Sequence, residues 1–217
     1  MTRPLLHFFH KSSKQTLPMN KIILLLLVFI VAACNNNKFK VLGELPDKSY
    51  DGEWIYLVPL VNAPVERVDS TVIKKGEFTF EGQVDSTEIY VIRARPFLRL
   101  TLQELLIVKE PGIIKAKLGH NSSAEGTALN DSLEHWKEKK NNTDTLLVNF
   151  RTRYRATADT IQQAIIKQQA NSLQNEIIAF NYNFIENNKS NVVGELVYRL
   201  QKRSFSQEQI EHLGLEK

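Results

Sequence analysis

Hydrophobic and polar positions divide the chain into three stretches. The first is an unbroken apolar run over residues 22–33, in which Leu24-Leu25-Leu26-Leu27 leaves no polar face at any period. The second, from Phe39 to about Ala128, consists of short apolar segments separated by turn residues. Glu77-Phe78-Thr79-Phe80-Glu81 alternates strictly and predicts a strand with Phe78 and Phe80 on one face. Glu53-Trp54-Ile55-Tyr56-Leu57-Val58 and Glu88-Ile89-Tyr90-Val91-Ile92 are rich in β-branched and aromatic residues and predict two more. Residues 68–73 lead through Lys74-Lys75-Gly76 into the Phe78 strand. This predicts a hairpin with Gly76 at positive φ and Gly82 closing its second strand. Residues 102–108 and 113–118 predict a further pair joined by a Pro111-Gly112 turn. Seven or eight short strands at this spacing predict an antiparallel β-sandwich or barrel-like domain.

The third stretch is helical. Asn130 or Asp131 is placed to cap a helix whose face runs through Leu133, Trp136, Leu147, Phe150 and Tyr154, with a break expected at Asn141-Asn142. Ile161, Ile165, Leu173, Ile177, Phe180 and Phe184 form the stripe of a second helix, ended by residues 187–191. A short helix over 192–200 and a last one opening at Ser206 follow. The long helices are expected to pack antiparallel on each other or on the sheet. The predicted fold class is α+β.

The run over residues 22–33 is too short to span a bilayer, which needs about 20 apolar residues, and it fits the apolar region of an export signal. It closes in Val31-Ala32-Ala33-Cys34, which holds the only cysteine of the 217 residues. This arrangement resembles the lipobox of a bacterial lipoprotein signal peptide. The resemblance implies that residues 1–33 are a signal peptide, with 1–18 an upstream extension before Met19-Asn20-Lys21, and that Cys34 carries lipid. Residues 34–38 are then a lipidated tether, 39–129 a β domain and 130–217 a helical region.

Charge follows the same division. Residues 1–34 hold four Lys or Arg and no acid; the 28 Lys+Arg of the whole chain, less these four, equal its 24 Asp+Glu. The sequence pI of about 9.1 therefore belongs to the leader. It gives no basis for nucleic-acid binding by the remainder. With Cys34 acylated, no thiol is left for a disulfide, a thiolate metal site or dithiol redox chemistry.

Gly43-Glu44-Leu45-Pro46-Asp47, Asp51-Gly52-Glu53-Trp54-Ile55-Tyr56-Leu57, Asp69-Ser70-Thr71-Val72, Gly76-Glu77-Phe78-Thr79-Phe80-Glu81-Gly82 and Glu125-Gly126-Thr127-Ala128-Leu129-Asn130-Asp131 occur in this order behind the lipobox. The series resembles the N-terminal domain of unknown function of Bacteroidetes lipoproteins, which usually precedes a thioredoxin-like domain of the AhpC/TSA (TlpA/ResA) type. The resemblance covers about residues 38–131 and the helices after it. No C-x-x-C pair is present in this sequence, so the family's redox activity does not carry over. The resemblance implies either an accessory module or the N-terminal part of a thiol-disulfide oxidoreductase whose catalytic domain is lost or separately encoded.

Five of the seven aspartates are followed by Ser or Thr: Asp69-Ser70, Asp85-Ser86, Asp131-Ser132, Asp144-Thr145 and Asp159-Thr160. Chance would give fewer than one. The tripeptides resemble acceptor sites of periplasmic O-glycosylation in Bacteroidetes, which implies sugar on Ser70, Ser86, Ser132, Thr145 or Thr160. Asp-Ser/Thr also serves turns and helix N-caps, which suits Asp131 and Asp159.

Other chemistry is sparse. His120, His135 and His212 fall in no metal-ligand spacing. Glu134 and Glu138 share a helix face with Lys137 and Lys139 and read as a solvated surface. Arg93, Arg95 and Arg99, and again Arg151, Arg153 and Arg155, form basic clusters suited to an anionic partner or lipid headgroups; a rim balanced by nearby acids is the expectation. Taken together, the sequence predicts a lipid-anchored, non-catalytic binding or accessory module of the cell envelope. No cofactor is expected, and the resemblance to lipoproteins of this group implies a position facing the periplasm from the outer membrane. Its expected contacts are the membrane, through its lipid, and a separate thioredoxin-like protein.

Overall fold

A computed structural model of the chain describes residues 37–94 and 102–215. These belong to one compact unit, Asn37–Lys217. Eight strands form its first part: β1 (Lys38–Glu44), β2 (Trp54–Pro59), β3 (Asp69–Val72), β4 (Glu77–Gln83), β5 (Glu88–Ala94), β6 (Leu105–Lys109), β7 (Gly112–Lys117) and β8 (Ser123–Glu125). Four α-helices follow: α1 (Ala128–Ala156), α2 (Thr160–Asn188), α3 (Val192–Gln201) and α4 (Gln207–Leu213). The class is α+β, as the pattern predicts.

The strands make two four-stranded sheets, β4-β1-β7-β8 and β3-β2-β5-β6. Alternation sets which residues meet between them. Val41, Phe78, Phe80, Ile114 and Ala116 point inward from the first sheet, and Ile55, Leu57, Tyr90, Ile92, Leu105 and Ile107 from the second. Each large side chain so buried contributes roughly 1.5–3 kcal/mol. The second sheet is apolar on its other face too. Ile89, Leu106 and Val108 pack there against Leu133 and Trp136 of α1, Phe184 and Ile185 of α2 and Val193, Leu196 and Val197 of α3. The second sheet therefore lies between the first sheet and the helices.

Two expected hairpins are not ladders. Lys75 (φ 59) and Gly76 (φ 77) form the predicted tight turn, closed by a single bridge between Lys74 and Glu77. Beyond it β3 and β4 part into different sheets, because Phe78 and Phe80 are needed on the inner face opposite Ile55 and Leu57. Pro111-Gly112 likewise carries the chain from β6 in one sheet to β7 in the other. That crossing brings β7 beside β1 in parallel, the one parallel pairing among five antiparallel ones. β4 runs through Gly82 to Gln83, and the strand expected over 102–108 spans Leu105–Lys109.

The helices also depart from expectation. α1 runs unbroken through Asn141-Asn142, because both are exposed while Thr143 beside them is buried. Tertiary support of this kind overrides weak helix propensity. Its N-cap position is Thr127, so Asn130 and Asp131 lie inside the first turn. The α2 stripe turns as it leaves the core: Ile161 and Ile165 are 71% and 43% exposed, and Ile166 is buried instead. Likewise Tyr154 is exposed, and the buried face of α1 ends at Thr143.

Candidate functional site

A cleft opens where the second sheet meets α3. One wall is the loop after β2, Leu60, Val61 and Asn62, together with Arg67 and the start of β5 at Glu88 and Ile89. The other wall is Val192, Glu195, Leu196 and Arg199 of α3. Its volume is about 240 Å³.

Local sequence shapes both walls. Pro64 ends an extended segment and is followed by the single 3-10 turn Val65–Arg67, which aims Arg67 back across the sheet. Asn62 adopts φ 50, a conformation that asparagine tolerates better than most residues. Leu60 N–H donates to Ile89 C=O at 2.9 Å, so the start of the loop continues the β2–β5 pairing. On the opposite wall Asn191 caps α3, accepting from Val193 N at 3.0 Å and Gly194 N at 3.1 Å. The cap fixes the turn that carries Glu195.

The electrostatics are those of two facing ion pairs over an apolar floor. The Arg67 guanidinium pairs with Glu88 and also donates to Tyr90 Oη at 3.3 Å. Ser86 Oγ donates to the other Glu88 oxygen at 2.7 Å. The Ser86 hydroxyl first, and then Arg67, hold the Glu88 carboxyl below the ordinary glutamate range against the opposing effect of burial. Arg67 is held more firmly protonated by the same carboxylate. Across the cleft Glu195 pairs with Arg199 at 3.7 Å. The arrangement can seat a small amphipathic group and orient it by charge.

The residues singled out in the sequence are not gathered here. Cys34, Arg95 and Arg99 lie outside the described residues. Ser70 is exposed on β3 and Ser86 on the turn before β5; Thr145 is exposed midway along α1 and Thr160 at the start of α2. Ser132 is half-buried and its Oγ donates to Asn188 Oδ1 at 3.4 Å. His120 is exposed, His135 packs edge-on against the Phe180 ring, and His212 Nδ1 lies 2.6 Å from Tyr182 Oη. Burial, reinforced by Glu186 and Glu208, raises the Tyr182 pKa. No group of side chains among the described residues is placed to hold a metal ion. Glu134 is not the solvated residue expected. It accepts from Ala124 N at 3.0 Å and Lys137 Nζ at 2.7 Å and so ties β8 to α1.

None of the cleft residues stands out in the sequence. Arg67 and Glu88 are 21 positions apart, and only the register of β2 on β5, with Pro59 opposite Tyr90, brings them together. The arginines divide as well. Arg93 pairs with Glu104 at 3.4 Å, as expected of a balanced rim. Arg151, Arg153 and Arg155 make no ion pair among the described residues, and Arg153 lies over the Phe150 ring.

Residues 39–133 match the family model Domain of unknown function (DUF4369). The match spans both sheets and ends in the second turn of α1, at Leu133. No curated protein and no solved structure matches the chain.

Proposed function

We propose that the protein is a lipid-anchored lipoprotein of a Bacteroidetes-type cell envelope, facing the periplasm from the outer membrane and acting as a non-catalytic binding or accessory module. The observation that carries this reading is the sequence Val31-Ala32-Ala33-Cys34 at the end of the apolar run. The compact unit begins at Asn37, three residues after Cys34, which supports a short tether at that point. No helix among the described residues is long and apolar enough to cross a membrane, so in this reading the lipid is the attachment. The cleft between the second sheet and α3 supports binding. The match to a domain of unknown function over residues 39–133 is consistent with the accessory domain that precedes thioredoxin-like domains, and a separately encoded thioredoxin-like protein is the proposed partner class.

Replacing Cys34 with Ala and fractionating the host tests the anchor. The variant is expected to accumulate unprocessed or soluble, and a processed, membrane-bound variant contradicts lipidation. Within the same reading, Ser70, Ser86, Thr145 and Thr160 are the exposed candidates for O-glycosylation, and Ser132 is the least accessible. Intact-mass measurement of protein from the native host, without hexose-sized increments, overturns that part.

A further inference from the structure

The outer half of the α1–α2 hairpin contributes almost nothing to the core. After Thr143 on α1 and before Ile177 on α2, Ile166 is the one buried side chain. An open groove of about 360 Å³ runs between the two helices in this half. Its floor is apolar, formed by Leu147, Phe150 and Tyr154 of α1 and Ile166 of α2. Its rim is basic, formed by Arg151, Arg155 and Lys167. None of the three rim cations makes an ion pair among the described residues. Among the described residues the ion pairs within this hairpin, Lys137–Glu134, Lys139–Glu176 and Lys140–Asp144, lie on the core side of the groove. The only acid between residues 145 and 175 is Asp159, and its carboxylate is committed to capping α2, accepting from Ile161 N at 2.8 Å.

An apolar floor with an uncompensated basic rim calls for a ligand that is apolar along one line and acidic on both sides of it. The groove lies between two antiparallel helices, and from Leu147 to Tyr154 its floor spans two helical turns, about 10 Å. A third helix fits such a shape, with apolar anchors spaced at i, i+3/i+4 and i+7. A second copy of this chain does not fit. Groove on groove about a two-fold axis sets the same cations against each other. A flat bilayer fits less well than a helix, because Ile166 is recessed to 4% exposure at the bottom of the groove.

We propose that the outer half of the α1–α2 hairpin docks an amphipathic helical segment of a partner protein, with its apolar stripe on Phe150, Tyr154 and Ile166 and its flanking carboxylates on Arg151, Arg155 and Lys167. The proposal rests on the reading of the chain as a binding module and names the chemistry of what it binds. It does not depend on the lipid anchor.

The test is a fluorescence-anisotropy titration of the full chain in detergent. The probe is a labelled helical peptide of about 18 residues with leucines at the anchor spacing and glutamates beside them; its twin carries lysine at every glutamate position. The acidic peptide is expected to bind, and the lysine twin to bind at least about tenfold more weakly, a difference of about 1.4 kcal/mol. Arg151→Glu with Arg155→Glu should weaken the acidic peptide by a similar factor while leaving the circular-dichroism melt unchanged. Should that double variant fail to fold, Tyr154→Ser, at an exposed floor position, must weaken binding instead. Equal binding of the two peptides, absence of binding, or unaltered affinity in the folded variants overturns the proposal. So does a dimer that these substitutions dissociate, or binding to phosphatidylglycerol vesicles through these residues without binding to the peptide. The Cys34→Ala chain should give the same titration, so failure of the anchor and failure of the groove are read separately.

Discussion

The side chain of Asn130 binds Val108 as a neighbouring strand would. Its Oδ1 accepts from Val108 N at 2.9 Å, and its Nδ2 donates to Val108 C=O at 2.8 Å. Both groups are buried. β6 is an edge strand of its sheet, and at Val108 a helical asparagine takes the place of the missing strand. Glu110, two residues on, completes the joint by accepting from Thr127 Oγ1 at 2.6 Å, Leu129 N at 2.9 Å and Asn130 N at 3.1 Å. The carboxylate thus caps α1, whose own N-cap threonine makes no capping bond to the backbone. Asn130→Leu keeps the branched shape of the side chain but strands the Val108 N–H and C=O. The expected cost is about 2–6 kcal/mol, since each of the two unsatisfied buried groups costs about 1–3 kcal/mol. Urea unfolding followed by the emission of buried Trp136 measures it, and a Leu variant within about 0.5 kcal/mol of wild type would show that the amide is dispensable.

A second pairing governs the crossing between the sheets. The Asp51 carboxylate accepts from Lys75 N at 2.8 Å and Gly76 N at 2.7 Å. It holds a turn in which both central residues have positive φ, the requirement of a type I′ turn. Asp51→Ala should destabilise the protein by about 1–2 kcal/mol through loss of the charge-assisted pair of bonds. Lys75→Asn should act in the opposite direction, by about 0.5–1 kcal/mol, because asparagine tolerates this conformation better than lysine. Thermal melts of the two variants must move apart from wild type in opposite directions.

The extent to which this fold can be read from the sequence follows from the range of the interactions. Phe78 and Phe80 alternate within five residues, and the strand is evident. Gly76 sits between two β segments, and its turn is evident. The sheet to which each strand belongs is not, because a tight turn dictates only its own four residues. Whether β3 and β4 stay paired depends on the inner-face partners of Phe80, and those come from β2. The same holds for Asn130. It reads as a helix cap from its neighbours, yet its partner is 22 positions upstream. The cleft residues are harder still. Arg67, Glu88 and Glu195 are ordinary surface charges until the β2–β5 register and the placement of α3 bring them to one opening. The outer hairpin misleads in the other direction: Leu147, Phe150 and Tyr154 have the spacing of a core face, yet none is buried and Tyr154 is exposed.

The cleft should show its charge state through pH. The Glu88 carboxyl is held below its ordinary value, with the Ser86 hydroxyl as the largest cause and Arg67 second. A depressed folded-state pKa gives stability that is fully present above the unfolded glutamate value, about 4.3. It is lost as pH falls from there through the folded value. Wild type and Glu88→Gln should therefore differ most near neutral pH and converge in acid. In a carboxyl NMR titration, Ser86→Ala should return the Glu88 pKa upward by more than Arg67→Gln does. Modification of Ser86 Oγ removes the same donor hydrogen, so a glycosylated protein should titrate as the alanine variant. An unmoved Glu88 titration in Ser86→Ala would sink the assignment.

Gly194 decides how closely α3 approaches the end of α2. A Cβ at this position falls 2.1 Å from the Asn188 carbonyl oxygen and 2.5 Å from its carbon. Both are backbone atoms, so no side-chain rotation relieves the contact. The surrounding bonds leave little slack. Gly194 N donates to Asn191 Oδ1 at 3.1 Å, Asn191 Nδ2 donates to Asn188 Oδ1 at 3.1 Å, and Asn188 Nδ2 donates to Phe184 C=O at 2.9 Å. Gly194→Ala must lift α3 from α2, with an expected cost of about 3 kcal/mol, at the upper end of the usual range for overpacking. Gly214→Ala is the control. Its φ is 64 but nothing lies within 4 Å of the added carbon, so only backbone strain of about 1 kcal/mol is expected. Because α3 carries Glu195 and Arg199, the Gly194 variant should also open the cleft, seen as faster amide exchange over residues 192–201 and 60–67. Equal destabilisation by the two alanines would mean that the helix contact is looser than the geometry requires.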